Sequence, residues 1–480
     1  MILFKSLMNG EDNMKLYNIQ AEMKKLRDTG DYSKNELARR EAEMKQHNEE
    51  ERQRHHDVIG PYRNPKTSSF LHYEMARDII DQYDFCTIND TLYIWWDGKY
   101  TPEVQDKINL IGIKLDPTTI KTNRTEVYNT IVGFKSTFRS FAQVDPYKIA
   151  FMNGVLDLNT LDFYTEDLEQ FAVCNRIPWN YNDDPEDQPQ VSEQIKKWAD
   201  YDDNIEKLLY QLIGYPMLIN CNLRTMFLLH GSAQGGKTKF VEYIEYLYGT
   251  ENYATFDIEE VNKRFNKAQI CGKLFNYSDD IDAGYIDKPN FLKRLISGMT
   301  SMQVENKGKD GYKAPFYAKL IMSMNEFPKM KMDSDVTAWA SRLNIIHFKH
   351  KFEKNPNYNR WEQENLKTKE AVEWLLQQAA LAIHNAIETG DFCYNDITQF
   401  DNFLQNNAPF MHEALSLSLG DWEQQGVKGW FDINSKEYGS QISFKAFMSQ
   451  FNKLSSNIEI YRTTEPLGHK RVTKYKARQK

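Results

Sequence analysis

Residues 231–238 read Gly-Ser-Ala-Gln-Gly-Gly-Lys-Thr, and the apolar run Met-Phe-Leu-Leu at residues 226–229 precedes them. The three glycines let the backbone turn tightly and direct its N–H groups inward at phosphate oxygens. The ammonium group of Lys237 can reach the β- and γ-phosphates, and the hydroxyl of Thr238 can ligate Mg²⁺. A helix predicted at residues 239–248 would point its N-terminal dipole at the same anion. A strand before the loop and a helix after it favour a phosphate-binding loop over an ordinary glycine-rich turn.

This loop predicts that the chain binds a nucleoside triphosphate. All eight loop residues are candidate contacts to the nucleotide: Gly231, Ser232, Ala233, Gln234, Gly235, Gly236, Lys237 and Thr238. Among them, Lys237 is also a candidate catalytic residue because its charge lies where the phosphates react.

Composition limits the class of protein. At about 100–200 residues per domain, 480 residues hold about two to four domains. The net charge of −8 gives no overall basic field, so any contact with nucleic acid must be local. The five cysteines form no Cys-x-x-Cys pair, which argues against a zinc ribbon and a disulfide framework and fits a reducing cytosol. No stretch approaches about 18 consecutive apolar residues and no signal peptide is recognisable, so we expect a cytoplasmic protein without a membrane partner.

The segments before the loop differ in pattern. Residues 14–56 are charged and helix-prone, as expected of a solvated helix, a partly disordered arm or a helix that docks to a partner. Residues 92–100, which contain Asp97-Gly98, and residues 151–158, which contain Asn153-Gly154, predict hairpins. The acidic, proline-bearing stretch at residues 183–189 is typical of a linker.

The segments around and after the loop predict three kinds of structure. Residues from about 220 to 350 alternate strand and helix, which indicates an α/β sheet with helices on its faces. Apolar residues between 362 and 389 recur at helical spacing and are interpreted as packing. A helix at residues 444–454, strands at 458–461 and 472–475 and a turn at 468–471 suit the end of a winged helix.

Two carboxylates, Asp279 and Asp280, end the next apolar strand, about 40 residues beyond the loop. At a strand end beside a phosphate loop, one acid can hold Mg²⁺ through water and another can polarise the attacking water. We assign Asp279 to the metal and Asp280 to the water, and the reverse order stays open. The acidic pair is also compatible with a helix N-cap.

Asn325 follows the apolar run at residues 319–324. Its amide can hydrogen-bond both the γ-phosphate and the lytic water, which would make it a nucleotide sensor, although Asn-Glu-Phe-Pro also suits a turn.

Arg342 precedes the apolar run at residues 344–348 and could reach a neighbouring subunit's γ-phosphate as an arginine finger. Such residues contribute roughly 10³–10⁵ in rate where measured. The alternative is a surface arginine in an ordinary salt bridge.

A lysine-rich hairpin is predicted at residues 302–313. Lys307, Lys309 and Lys313 surround its two glycines and could grip the phosphates of a nucleic-acid strand, while Tyr312 could stack on a base. A solvated hairpin that carries lysines for solubility is the alternative.

These features, in this order, resemble the superfamily 3 helicases of AAA+ type, in the branch of phage, plasmid and poxvirus primase–helicases. The resemblance runs from about residue 65 to the C-terminus, and several short stretches carry it together. They are residues 151–155, 231–238, 264–265, 273–276, 295–298, 320–328 and 342–343.

The resemblance implies an α/β fold with a P-loop AAA+ type ATPase core, an α+β N-terminal accessory domain and a C-terminal winged-helix-like domain. The expected boundaries are a charged helical arm at 1–60, the accessory domain at 61–190, the ATPase core at 191–355, a helical lid or linker at 356–395 and the winged-helix-like domain at 396–480. Basic residues near the C-terminus, Lys470 and Arg471 among them, suit duplex or origin DNA, although a basic tail is also compatible with a solvated end.

The resemblance further implies a ring of six subunits that hydrolyses ATP with Mg²⁺ at subunit interfaces and moves single-stranded DNA through its channel. Arg342 would then act in trans, and Lys307, Lys309 and Lys313 would project into the channel. The expected function is a DNA helicase or replication initiator of a phage, plasmid or mobile element in the host cytoplasm, with a primase or loader protein as a further partner.

The chain departs from the family pattern at two positions. Gly235 stands where the family has Asn before the final loop glycine, and Asp280 stands where it has Glu.

The chain also has no room for a polymerase-type primase domain, so we expect no primer synthesis. Three other functions stay open: an ATP-assembled origin-binding initiator that melts DNA locally, a small-molecule P-loop kinase, and an ATP-gated scaffold whose acids are catalytically silent.

Overall fold

The fold comes from a computed structural model, which describes residues 22–23, 26, 34–59, 61–64, 66–257, 266–279, 285–286, 289–297, 300–304, 312–327, 329–330, 336–394, 397–467 and 470–480. The chain divides into two compact units, Met1–Gln143 and Val144–Lys480. This division falls inside the accessory domain expected at residues 61–190. Among the described residues, no helix is long and apolar enough to cross a membrane.

The first unit combines helices with a small sheet. Its elements are α1 (Lys34–Ile59), α2 (His72–Gln82), β1 (Phe85–Ile88), β2 (Thr91–Trp96), β3 (Lys99–Thr101), α3 (Val104–Leu115), α4 (Lys121–Gly133) and β4 (Arg139–Phe141). The sheet order is β3-β2-β1-β4, with β1 and β4 parallel. Asp97 and Gly98 both have positive φ, which the two-residue turn between β2 and β3 requires, so the predicted hairpin is confirmed. Apolar residues of α2, α3 and α4 pack against the strands in one core.

The second unit begins with a three-stranded antiparallel sheet and two helices. These elements are β5 (Lys148–Phe151), β6 (Gly154–Asp157), β7 (Phe163–Tyr164), α5 (Pro189–Trp198) and α6 (Asp203–Gly214). The hairpin predicted around Asn153-Gly154 is confirmed, because Phe151 pairs with Gly154. The amide of Asn153 also exchanges two hydrogen bonds with the backbone of Tyr181, which anchors the turn.

Alternating strands and helices follow. They are β8 (Met226–His230), α7 (Lys237–Tyr248), β9 (Tyr253–Ala254), α8 (Asn266–Ile270), β10 (Phe275–Ser278), β11 (Tyr285–Ile286), α9 (Pro289–Ile296), β12 (Thr300–Val304), β13 (Tyr312–Phe316), β14 (Lys319–Met324), β15 (Lys329–Met330), α10 (Val336–Ala340) and β16 (Leu343–His347). Five of the strands form one parallel sheet in the order β16-β8-β14-β10-β9. Strands β10 and β14 are buried along their whole length, as expected of parallel strands covered on both faces. The predicted α/β class with a parallel sheet is therefore confirmed.

The C-terminal part is mainly helical and ends in a hairpin. Its elements are α11 (Tyr358–Asn365), α12 (Lys369–Thr389), α13 (Ile397–Asn407), α14 (Pro409–Ser416), α15 (Leu419–Gln425), α16 (Val427–Glu437), α17 (Phe444–Leu454), β17 (Ile458–Leu467) and β18 (Lys470–Gln479). Apolar residues of α13 to α17 and of the hairpin share one core with one face of the parallel sheet. A hydrogen bond from the Val336 backbone N–H to the Gln450 side chain joins α10 to α17. The predicted helix and the two predicted strands are present, with both strands longer than expected, and part of the turn predicted at residues 468–471 lies outside the described residues.

Candidate active site

The loop at residues 231–236 joins strand β8 to helix α7, as the sequence predicts. Gly236, the residue before α7, has φ of +85°, a left-handed conformation that L-residues rarely adopt. A Cβ atom there would lie 2.7 Å from the ring of Phe352 and 2.9 Å from the indole Nε1 of Trp198. The position therefore requires glycine for both its backbone conformation and its space.

The segment after β16 holds the loop in place. The backbone N–H of Phe348 donates to the carbonyl of His230 at 2.8 Å, and that of Phe352 donates to the carbonyl of Gln234 at 3.1 Å. Gly231 has φ of +152°, and a Cβ there would lie 2.6 Å from the carbonyl oxygen of Phe348. The loop is therefore packed closely against a neighbouring backbone.

Lys237, in the first turn of α7, is the buried cation of the loop, with 8% of the residue exposed. Its Nζ atom donates to the carbonyl of Gly231 at 2.5 Å, to that of Ser232 at 3.1 Å and to the Oδ1 atom of Asn325 at 3.0 Å. Asn325 immediately follows β14, the strand beside β8. The parallel sheet thus brings these two candidate residues together, because both follow the carboxyl ends of adjacent strands.

Asp279 follows β10, the next strand of the sheet, and is exposed. Its Oδ1 atom accepts a hydrogen bond from the hydroxyl of Tyr277 at 2.7 Å and another from the hydroxyl of Ser323 at 2.5 Å. The two hydroxyl oxygens lie 3.1 Å apart. Neither hydroxyl was assigned from the sequence, although each stands two residues before a candidate, Asp279 or Asn325, on the same face of its strand.

A second carboxylate, Glu245 of α7, influences this region and was also missed from the sequence. Its pKa is raised by burial first and then by the negative charges of Glu242 and Asp279. A cation bound beside two carboxylates would offset the repulsion between their negative charges.

His230, the last residue of β8, places a neutral imidazole ring beside the loop. Burial lowers the pKa of its imidazole, and His347, paired with it on β16, lowers it further. The ring stacks on that of Phe327 with centroids 4.3 Å apart. The imidazole is therefore neutral near pH 7 and adds no positive charge next to Lys237.

Four of the other predicted contacts of the nucleotide lie at the surface of the loop, whereas Gly235 is buried. Thr238, in the first turn of α7, is exposed, and so are Ser232, Ala233 and Gln234. Gln234 has φ of +69°, which is uncommon for a residue with a side chain.

Arg342 lies at the opposite end of the sheet from the loop. It directly precedes β16, whose first residue Leu343 pairs with Met226, the first residue of β8. Six residue steps along the strand, rising about 3.3 Å each, therefore separate it from Gly231 by roughly 20 Å along the sheet. The guanidinium is half-buried, and its Nη1 atom donates to the carbonyl of Ala338 at 2.6 Å.

Several candidate residues fall outside the described part of the chain or only partly within it. Asp280, Lys307 and Lys309 lie outside the described residues. The hairpin predicted around the lysines is confirmed in its strands, because β12 and β13 pair in antiparallel register. Lys313 lies within β13, opposite Gln303, and not at the tip as expected, because β13 already begins at Tyr312.

Lys470 and Arg471 are the first two residues of strand β18. The alternation of side chains along this strand divides its basic residues between two faces. Even-numbered positions of β18 share one face, and odd-numbered positions share the other. Tyr475 and Ala477, on the odd face, pack against the core. Lys470 occupies an even-numbered position of β18 and Arg471 an odd-numbered one. The even face also carries three exposed cations: Lys474, Lys476 and Arg478.

Two parts of the chain match known protein families. Residues 69–201 match the family described as D5 N terminal like, and residues 229–342 match a family of unknown function, DUF5906. The second match begins just before the phosphate-binding loop and ends at Arg342, so it contains all five candidate catalytic residues. No curated protein matches the chain.

Two of the solved structures that match this chain are distant from it in sequence and in structure. The A form apo structure of the NrS-1 C-terminal region is 12% identical, with 84% of this chain and 98% of that chain covered and a TM-score of 0.42. The apo structure of the NrS-1 C-terminal region spanning residues 305–718 of that protein is also 12% identical, with the same coverage and a TM-score of 0.41.

Proposed function

We propose that the chain is an ATP-dependent DNA helicase or replication initiator, which assembles as a ring and translocates on single-stranded DNA during replication of a phage, plasmid or mobile element. The arrangement that carries the proposal is the convergence of Lys237, Asn325 and Asp279 at one end of a parallel sheet, with Arg342 at the other. The match of residues 69–201 to the D5-like family supports a role in replication. The AAA+ core and the winged-helix-like domain are parts of the same proposal.

The loop fits the phosphates of ATP. Its glycines leave room where a Cβ would meet Phe348, Phe352 or Trp198, and the N-terminus of α7 faces the same turn. The ammonium of Lys237 now donates to two backbone carbonyls and to the amide of Asn325. On binding, Lys237 would exchange part of these bonds for the β- and γ-phosphates, and Asn325 would be released to contact the γ-phosphate and the attacking water.

The donor set also fits Mg²⁺. Within the described residues no group of three or more His, Cys, Asp or Glu side chains could hold a metal by itself, but Mg²⁺ is commonly held by one or two carboxylates with phosphate oxygens and water. Thr238 and Asp279 would hold it, and the repulsion between Asp279 and Glu245 would be relieved by its charge. The ion would supply charge stabilisation to the transferred phosphoryl group. We retain Asp280 as the proposed base.

Arg342 supports assembly into a ring. It stands at the end of the sheet opposite the loop, roughly 20 Å away along the strands, so it cannot serve the nucleotide of its own subunit without a large movement. In a ring, that edge of one subunit could meet the loop of the next, and Arg342 would stabilise the γ-phosphate there as the transition state forms. We propose six subunits, as the resemblance implies.

Two hairpins are the proposed contacts to DNA. The β12–β13 hairpin, with Lys307, Lys309 and Lys313, would contact single-stranded DNA in the channel. The even face of β18 would contact duplex DNA, because Lys474, Lys476 and Arg478 stand on it at intervals of roughly 7 Å. Lys470 and Arg471, the first two residues of β18, stay proposed contacts to DNA. Tyr461, cross-strand from Lys476, lies under the guanidinium of Arg478 at 4.9 Å and is available to stack beside the backbone.

The second candidate function is an ATP-assembled initiator that binds an origin and melts it locally. The cationic face of β18 favours it, because that face suits a duplex. A strand-displacement assay separates the two functions. A helicase displaces strands of increasing length from forked substrates with ATP, whereas an initiator gives ATP-dependent melting only at its origin. Absence of both activities from a protein that hydrolyses ATP would reject both functions.

A further inference from the structure

Two buried hydroxyls, those of Tyr277 on β10 and Ser323 on β14, lie beside the proposed metal-binding acid. Their residues are 6% and 2% exposed. Burying a hydroxyl without a hydrogen bond costs free energy, so buried hydroxyls are normally paired. Here both are directed at the same acceptor, the Oδ1 atom of Asp279.

The strand register accounts for this convergence. Tyr277 pairs with Ile321 in the parallel ladder between β10 and β14. Since side chains alternate along a strand, Tyr277 and Asp279 share the face that carries Ser323 on the neighbouring strand. Asn325 follows Ser323 by two residues. The acid and the proposed sensor are therefore fixed by adjacent strand ends.

The two hydroxyl hydrogens limit how the hydroxyl oxygens of Tyr277 and Ser323 can be hydrogen-bonded to each other and to the Oδ1 atom of Asp279. Two hydroxyls supply two hydrogens for three close oxygen–oxygen pairs. The contacts to Asp279, at 2.7 and 2.5 Å, are shorter than the 3.1 Å contact between the hydroxyls. Both hydrogens are thus assigned to Oδ1, since an ionised carboxylate is the stronger acceptor.

We infer that Tyr277 and Ser323 are positioning residues that orient the carboxylate of Asp279 for Mg²⁺. With Oδ1 held by two donors, the rotation of the carboxylate is restricted and Oδ2 would serve the metal. Among the described residues, Oδ2 receives no hydrogen bond. Ser323 further ties this orientation to the strand that ends in Asn325. The inference rests on the proposed function, since it needs Asp279 to act on the nucleotide-bound metal.

Binding of a non-hydrolysable ATP analogue, measured by calorimetry with Mg²⁺ and with EDTA, tests this inference. Tyr277→Phe and Ser323→Ala each remove one donor without adding bulk. Each should weaken binding in Mg²⁺ by about 10-fold or more, as is typical when a residue that orients a metal ligand is lost, and leave binding in EDTA unchanged. The double variant should lose less than the product of the two single losses, because both donors act on one oxygen.

Two controls exclude a merely structural role. Tyr253→Phe removes another half-buried phenol, on the edge strand β9, and should leave both affinities unchanged. Ser323→Thr keeps the hydroxyl and should retain the Mg²⁺ dependence of the wild type.

The outcomes separate this inference from the proposed function. Equal affinities of wild type and variants in Mg²⁺ would overturn the positioning role, while hydrolysis by the wild type would leave the function standing. An equal loss in Mg²⁺ and EDTA would also overturn it, because the hydroxyls would then support the fold alone. A wild type whose nucleotide binding is indifferent to Mg²⁺ would contradict both.

Discussion

The Nζ atom of Lys237 lies 3.0 Å from the Oδ1 atom of Asn325, across the ends of two adjacent parallel strands. The lysine stands 88 residues before the asparagine in sequence, and only the parallel order of β8 and β14 brings them together. A cation that already holds the proposed sensor can release it when phosphate arrives, because phosphate oxygens compete for the same N–H groups. This contact gives the proposed site a direct link between binding and sensing.

The first prediction concerns this lysine. Lys237→Ala should lower kcat for ATP hydrolysis by at least about 10²-fold, because it removes a preorganised positive charge from the phosphates. A thermal melt should show that the variant is folded. Lys239→Ala is the matched control, since that lysine pairs with Glu242 on the exposed side of the same helix and should leave kcat unchanged. Turnover at the wild-type rate in Lys237→Ala would remove the loop from the mechanism.

The second prediction concerns the arginine at the far edge of the sheet. Arg342→Ala should lower hydrolysis by roughly 10³-fold or more and leave ATP binding intact, because its charge acts on a neighbour's transition state. Mixing it with Lys237→Ala protein should restore part of the activity. In such mixtures some interfaces combine an intact lysine with an intact arginine. A mixture as inactive as its two components would contradict action in trans.

The third prediction concerns the outward face of β18. Replacing Lys474 and Lys476 by Gln should make the salt dependence of duplex binding shallower by about 1.8 in log K against log salt, as expected for two lost phosphate contacts. Arg462→Gln is the control, because Arg462 is an exposed cation on the opposite face of the same hairpin. If the control and the lysine variant lose affinity alike, general charge and not this face attracts the DNA.

A parallel experiment tests the β12–β13 hairpin. Changing Lys307 and Lys309 to Ala should weaken binding of single-stranded DNA and lower its salt slope by about 1.4, while duplex binding at the β18 face is retained. An unchanged salt slope for single-stranded DNA would show that this hairpin does not bind the phosphates of the strand.

The fourth prediction uses Lys319, a fully buried lysine at the start of β14. Its ammonium donates to the carbonyls of Leu218 and Tyr317, and burial lowers its pKa to about 8. Because this value is below that of the unfolded chain, 10.5, the unfolded state binds more protons between pH 8 and 10.5, and stability contributed by this group rises with pH. The free energy of unfolding of wild type relative to Lys319→Met should therefore increase by about 3 kcal/mol across that range.

Urea unfolding of both proteins at pH 7.5 and 10.5 measures this difference. The tyrosines common to both proteins cancel in the comparison. A difference independent of pH would mean that Lys319 keeps an ordinary pKa in the folded protein.

Local patterns in the sequence predicted the parts of the fold that depend on short stretches. Asp97-Gly98 and Asn153-Gly154 marked real turns, because their conformations need residues that tolerate positive φ or close approach. The apolar runs before Gly231, Asp279 and Asn325 are strands, and the residues after them lie at one sheet edge. The position of Arg342 at the opposite end of the sheet depends on the pairing of β16 with β8, which local sequence patterns do not predict.

The hydroxyls that hold Asp279 could not be found from motif spacing. Tyr277 and Ser323 lie inside apolar runs, where they read as ordinary strand residues. Their role depends on which strands are neighbours and on a register that places Tyr277 opposite Ile321. Glu245 was missed for the same reason, since its proximity to Asp279 follows from the packing of α7 on the sheet. The division at residue 143 likewise reflects contacts between distant segments.

ATP hydrolysis by the purified protein, with and without single-stranded DNA and at two salt concentrations, tests the central claim most directly. The account predicts hydrolysis that DNA stimulates strongly, and stimulation that declines as salt screens the phosphate contacts. Hydrolysis that is indifferent to DNA at both salt concentrations would contradict a DNA-coupled motor.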